Sequence, residues 1–182
     1  YVNFVFHNHI FESHLLTIIL MGGIGKFIIK ETGEYYRFIT AGLLHADLIH
    51  LIANLIVLYG CVALLEMYIG TIWTLFIFLI GIVGSSIFSI LINDPYLISV
   101  GSSGAVMALF ASLLIVALFL IKNDPSKKKE LRNCSLEVCI CNLLPYSDKS
   151  AKIIDYAGHA GGVITGVLIT LLLVWILRKD YY

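Results

Sequence analysis

A serine and a histidine in this chain stand where one could be a nucleophile and the other its base. Ser103 lies in Gly101-Ser102-Ser103-Gly104 and His159 in Gly158-His159-Ala160-Gly161-Gly162, each near the start of a long apolar run. As a bare pattern G-x-S-G is weak, but its surroundings add content. Small residues on both sides of Ser103 let a neighbouring helix approach closely. A serine in the first turn of a helix also has unpaired backbone N–H groups beside it, which can hold an oxyanion. His50 and Asn54 are four apart, hence on one helical face, and both side chains can donate hydrogen bonds to such an oxyanion. The soluble G-x-S-x-G elbow does not apply, because Ala105 occupies the second glycine position and no strand precedes it. No acidic residue is obviously placed to orient the His159 ring, Asp155 lying one turn earlier and towards a loop, so a dyad is expected rather than a triad.

The elements that must position these groups are membrane spans. The 182 residues are 59% hydrophobic and 13% charged, with a mean hydropathy of +0.94, which departs from soluble domains and indicates an all-α polytopic bundle. Three apolar spans are clear, at 71–92, 102–121 and 153–177. A fourth, 42–67, opens with His45, Asp47, His50 and Asn54. A fifth, 131–146, is short, carries Glu137 and Asn142 and ends at Pro145, before Ser147, Asp148 and Lys149. Residues 1–40 are apolar in patches broken by Gly22, Gly23, Gly25, Lys26 and Lys30, and read as an interfacial region ahead of a membrane domain at 41–182. The chain opens on Tyr1 with no signal-peptide pattern, which reads as a piece lacking its upstream part.

Charge bias orients the bundle. Lys122, Lys127, Lys128, Lys129 and Arg132 follow the Ser103 span, and Arg178 and Lys179 end the last one, so both places belong inside. The connection 93–100 has no Lys or Arg and belongs outside. The spans bearing His50, Ser103 and His159 then all start at the outer face, and three polar clusters converge at one depth. A lone intramembrane Ser or Asn is commonly glue between helices; a convergent cluster suits a water-filled cavity, which hydrolysis needs. Gly158, Gly162 and Gly166 recur every four residues and form a small-residue ridge. Packed against Gly101 and Gly104, that ridge would bring His159 to Ser103.

Other chemistries fit less well. Net charge is zero, so nothing points to nucleic acid. Cys61, Cys134, Cys139 and Cys141 form no CxxC pair and read as apolar filler. His45, His50 and His159 lack the H-E-x-x-H pattern and, apart from Asp47, acidic co-ligands; neither a metal nor a cofactor is expected. A transporter or channel is disfavoured because there is no internal repeat and the polar residues gather at one end.

These residues resemble the rhomboid intramembrane serine proteases, over about 35–166 and in the family's order. Tyr36-Arg37 resembles the aromatic-Arg pair of the family's first loop. His45, His50 and Asn54 match H-x4-H-x3-N, and Glu66 with Gly70 matches the acidic residue and glycine that close that helix. Gly101, Ser103 and Gly104 match G-x-S-G, and His159, Gly162 and Gly166 match H-x2-G-x3-G. The resemblance implies that Ser103 is the nucleophile and His159 the general base, with the Ser103 backbone N–H, His50 and Asn54 as the oxyanion hole. It also implies a six-helix core, a fifth helix acting as a lateral gate, and single-pass membrane proteins as substrates, cleaved in or near the transmembrane segment. His45, out of helical register with His50, is expected to support the entry loop or a water site. Met107 stands where some members carry an aromatic that stacks on the histidine, so a sulfur contact is expected to hold the ring. The family's first helix is either upstream of Tyr1 or replaced by the broken 4–29 region. The rival within the family is a relative that binds transmembrane clients without cutting them.

Asn133-Cys134-Ser135 reads as a glycosylation sequon, yet the topology puts it inside. The chain produced in a eukaryotic membrane should therefore carry no glycan at Asn133; a gel shift reversed by endoglycosidase and by Asn133→Gln would invert the orientation.

Overall fold

The computed structural model describes residues 15–121, 124–143 and 154–179. Three short helices open it: α1 (Leu15–Met21), α2 (Lys26–Thr32) and α3 (Arg37–Thr40), followed by a 3-10 turn, Ala41–Leu43. Gly22, Gly23, Gly25 and Gly33 interrupt the apolar patches here and keep the region from becoming a span. Arg37 gathers it instead: the buried guanidinium pairs with Glu34 at 2.6 Å and donates to the carbonyls of Ile19 (2.6 Å) and Gly23 (2.9 Å). Of the alternatives for the first family helix, residues 15–29 form α1 and α2; residues 4–14 lie outside the described residues.

Helix α4 (Leu48–Ile92) comprises two expected spans, 48–69 and 71–92. Gly70, at φ 78°, breaks it, a conformation that only glycine adopts cheaply. Glu66 accepts from the Thr71 hydroxyl across the break, and Thr74 donates to the Gly70 carbonyl at 2.9 Å. The first arm starts at residue 48, later than hydropathy suggests, because Asp47 caps it by accepting from His50 N at 2.6 Å. Helix α5 (Ser103–Phe119) follows, then α6 (Pro125–Leu143) and α7 (Tyr156–Lys179).

Helix α6 corrects the expected fifth span. It starts inside the lysine-rich stretch, where Asp124 caps it through Lys127 N (2.9 Å) and Pro125 takes the first helical position. The expected close of that span, including Pro145, lies outside the described residues, as does Lys122. Cys61 is buried in the core, but Cys134 is exposed on α6 and so is not filler; the side chains of Cys139 and Cys141 are outside the described residues. Ser135 of the sequon is buried and donates to the Leu131 carbonyl at 2.8 Å.

Helix α5 is the centre of the bundle and nearly all of it is buried. The glycine ridge of α7 packs directly on its backbone. A Cβ built at Gly162 would overlap the Gly104 carbonyl, 2.8 Å from its carbon, and one at Gly166 would lie 2.7 Å from the Ala108 carbonyl carbon. The same helix pair is tied by buried hydroxyls: Thr170 donates to Ser112 at 2.7 Å, and Ser112 Oγ lies 2.8 Å from Ala108 O and 3.3 Å from Gly166 O. Gly81 of α4 likewise faces Ala105 and Ala108. The apolar core, including Leu65, Ile77, Leu109, Leu113, Val116 and Leu173, fills the end of the bundle away from Ser103.

Because backbone cannot yield as a side chain can, Gly162→Ala should destabilise the fold by about 3 kcal/mol. Gly60→Ala, where an added Cβ meets nothing within 4 Å, should instead gain about 0.5–1 kcal/mol from helix propensity. Denaturant unfolding in mixed micelles compares the two.

Candidate active site

The loop 93–102 delivers Ser103 to the start of α5. Gly101 takes φ 124° and its N–H donates to the Ala41 carbonyl at 2.9 Å, which fastens the loop to the segment before α4. Space at Gly101 is as necessary as its φ. A Cβ there would lie 2.8 Å from His50 Cε1, 3.2 Å from His50 Nε2 and 3.7 Å from Ser103 Oγ. The His50 ring therefore packs over Gly101 beside the Ser103 hydroxyl. The glycine ridge, expected to face both Gly101 and Gly104, meets Gly104 alone, because Gly101 is covered by His50.

His159 comes from the first turn of α7, and its Nε2 lies 2.8 Å from Ser103 Oγ. The ring is buried, and with a neutral imidazole acceptor at that distance a serine hydroxyl can pass its proton along an existing hydrogen bond. Gly104 permits the approach: a Cβ there would overlap Ser85 and lie 3.3 Å from the Gly158 carbonyl. The aromatic beside the imidazole is Tyr156, edge-on at 6.5 Å between centroids. Met107, expected to hold the ring through sulfur, is buried in α5, one turn after Ser103. Tyr156 sits three positions before His159, a spacing that puts both on one helical face; this was the signal available in the sequence.

His45 Nε2 lies 3.2 Å from the hydroxyl of Ser102, a buried neighbour of Ser103 that no motif singles out, and its ring meets that of His50 edge-on at 5.1 Å. In the loop ahead of α4, burial pushes His45 down to about 4, helped by the adjacent His50 and opposed by Asp47. Buried Asn54 donates one amide N–H to the His50 carbonyl at 3.1 Å, which uses one of its two donors. Arg37 and Glu66 stand apart from the site. Arg37 also lies 5.5 Å from the Tyr36 ring, and its hydrogen bond holds the Glu34 carboxyl below the usual range. Glu66 belongs to the Gly70 break at the far end of the first arm. Among the described residues no group of three His, Cys, Asp or Glu is arranged to hold a metal ion.

The Rhomboid domain family model matches residues 32–176, most of the chain. This chain belongs to the rhomboid family. It is 33% identical over 159 residues to "Inactive rhomboid protein 1" of Drosophila melanogaster, covering 84% of this chain and 10% of that protein. To "RHOMBOID-like protein 6, mitochondrial" of Arabidopsis thaliana it is 33% identical over 155 residues, 82% of this chain and 47% of that one. To "Rhomboid protease GluP" of Bacillus subtilis it is 30% identical over 151 residues, 82% and 28% respectively. The rhomboid chain thus spans half the length or less of these relatives, which include both a protease and a protein named inactive. As in other members of this family of multi-pass membrane proteins, the fold is a helical membrane bundle.

Depression of the His45 value has a signed consequence for the rhomboid fold. Above the ordinary value of 6.5 the ring is neutral folded or unfolded; between 6.5 and about 4 only the unfolded chain takes up the proton. Stability should therefore fall as pH drops through that window, and His45→Gln should show a shallower decline in Tm from pH 7 to 4. Parallel slopes would remove His45 as the cause.

Proposed function

We propose that this rhomboid-family chain is an intramembrane serine endopeptidase acting through a Ser103–His159 dyad. The observation that carries the reading is the 2.8 Å contact between Ser103 Oγ and His159 Nε2 at the head of two helices packed backbone to backbone. In the first step His159 takes the Ser103 proton as Oγ bonds to the scissile carbonyl carbon, and the carbonyl oxygen becomes an oxyanion. The Ser103 backbone N–H, the His50 ring and the second amide N–H of Asn54 are the donors for it. Collapse breaks the C–N bond, and the proton on His159 passes to the leaving amine. Water, losing a proton to the same imidazole, then attacks the acyl-serine, and the returning proton restores Ser103.

Substrates on this reading are single-pass membrane proteins, cut in or near their transmembrane segment. The site opens on the face opposite Lys127, Lys128, Lys129 and Arg132, which the charge bias makes extracytoplasmic. Likeness to a protein named inactive supports a second reading, in which the bundle binds transmembrane clients without cutting them. Retention of both Ser103 and His159, in hydrogen-bond contact, favours the first.

Wild-type protein in lipid should label with a fluorophosphonate, and Ser103→Ala should not. His159→Ala should slow both labelling and cleavage of a transmembrane substrate by at least about 10³-fold. Folded wild-type protein that resists the probe, or substrate cleavage that survives His159→Ala at the normal rate, would refute the dyad.

A further inference from the structure

Asp155 lies just before α7, one turn ahead of His159, and its side chain does not orient the imidazole directly. Its carboxylate joins three segments. Oδ1 accepts from Gly158 N (2.7 Å) and from Asn93 Nδ2 (2.7 Å), and Oδ2 accepts from Ser99 Oγ (2.6 Å). The Asp155 carbonyl accepts from His159 N at 3.0 Å. Thus one residue caps the helix that carries His159, holds Asn93 at the end of α4, and grips the loop that leads into Ser103.

Each partner is itself fixed. Asn93 caps the C-terminus of α4, and its amide also lies 3.1 Å from Ser89 Oγ. Ser99 pairs through its backbone with Ile24, by bonds of 3.1 and 2.8 Å, and is the last side-chain tie before Gly101 turns the chain into α5. Gly158 makes room for the arrangement, since a Cβ there would lie 2.7 Å from Asp155 Oδ2. Without the carboxylate, the remaining packing between α5 and α7 begins at Gly104, below the reacting atoms, and the first turn of α7 loses its cap.

We infer that Asp155 is a positioning residue that sets the Ser103–His159 separation, by clamping the nucleophile's loop and the base's helix to a common carboxylate. The inference rests on the reading of that pair as nucleophile and base. It distinguishes shape from charge. An asparagine at 155 can keep its carbonyl oxygen towards Gly158 N and Asn93 and turn its amide towards Ser99 Oγ, which then accepts instead of donating.

The test uses full-length protein in lipid, with fluorophosphonate labelling, cleavage of a transmembrane substrate, and amide exchange of 99–103 and 157–160. Asp155→Ala should lower kcat about 10²-fold with KM within about twofold, since misplacement of about 1 Å has that cost. It should also speed exchange in both segments by about tenfold as the clamp opens. Asp155→Asn should recover kcat to within about threefold, because the geometry survives the loss of charge. Should Asp155→Ala fail to fold, Ser99→Ala, which removes one tie only, should lower kcat about tenfold at unchanged Tm and loosen 99–103. Wild-type kcat and exchange in the alanine variants would overturn the inference, and so would an asparagine variant as slow as alanine. If wild-type protein does not label, the nucleophile reading fails by itself, and the exchange rates still decide whether Asp155 clamps the two segments.

Discussion

Everything at the site depends on two helices being allowed to touch backbone to backbone. Gly162 rests on the carbonyl of Gly104, and Gly166 on that of Ala108, so α5 and α7 approach more closely than any pair bearing larger side chains could. Only at that spacing can an imidazole on one helix reach a hydroxyl on the other across 2.8 Å. Dispersion between close backbones does in lipid what apolar burial does in water. The Thr170–Ser112 hydrogen bond then fixes how far one helix can slide along the other.

The second constraint is that, among the described residues, buried polar side chains other than Tyr68 pair with neighbouring polar groups, because an unpaired one is costly there. Arg37, a charged residue with almost no exposure, finds a carboxylate and two carbonyls at the end of α1 and α2. Asn54 returns a donor to His50, and Ser86 donates to the Phe38 carbonyl at 3.0 Å, which ties α4 to α3. The N-terminal region is thereby held against the loop that carries Ser103, through the Ile24–Ser99 bridge on one side and the Gly101–Ala41 bond on the other. A short, glycine-broken segment thus stiffens a site to which it contributes no reacting group.

Much of this was legible in the sequence because the relevant signals are long or periodic. Apolar runs marked the spans, and the four-residue glycine repeat foretold the α5–α7 contact. Helix starts were less legible, since hydropathy averages over a window while Asp47 and Asp124 act at single positions. Capping pulled α4 inward to residue 48 and drew α6 out into the lysine run. Tyr156 was less legible because this aromatic neighbour of the imidazole comes from three positions back on α7 and not from α5, where Met107 stands. Asp155 was visible but read as a loop residue: its partners Asn93 and Ser99 come from a connection whose path no periodicity encodes.

The two halves of the Ser103–His159 contact sit 56 positions apart, the histidine on the last of the described helices. At ribosomal speeds of about 5–20 residues per second the serine leaves the ribosome several seconds before its histidine does. During that interval α5 lies in the nascent protein without the ridge that packs on Gly104 and Ala108, and the hydroxyl has no imidazole beside it. The order of the helices therefore acts as a timer: the pair can come into being only once α7 has been made and has docked on α5.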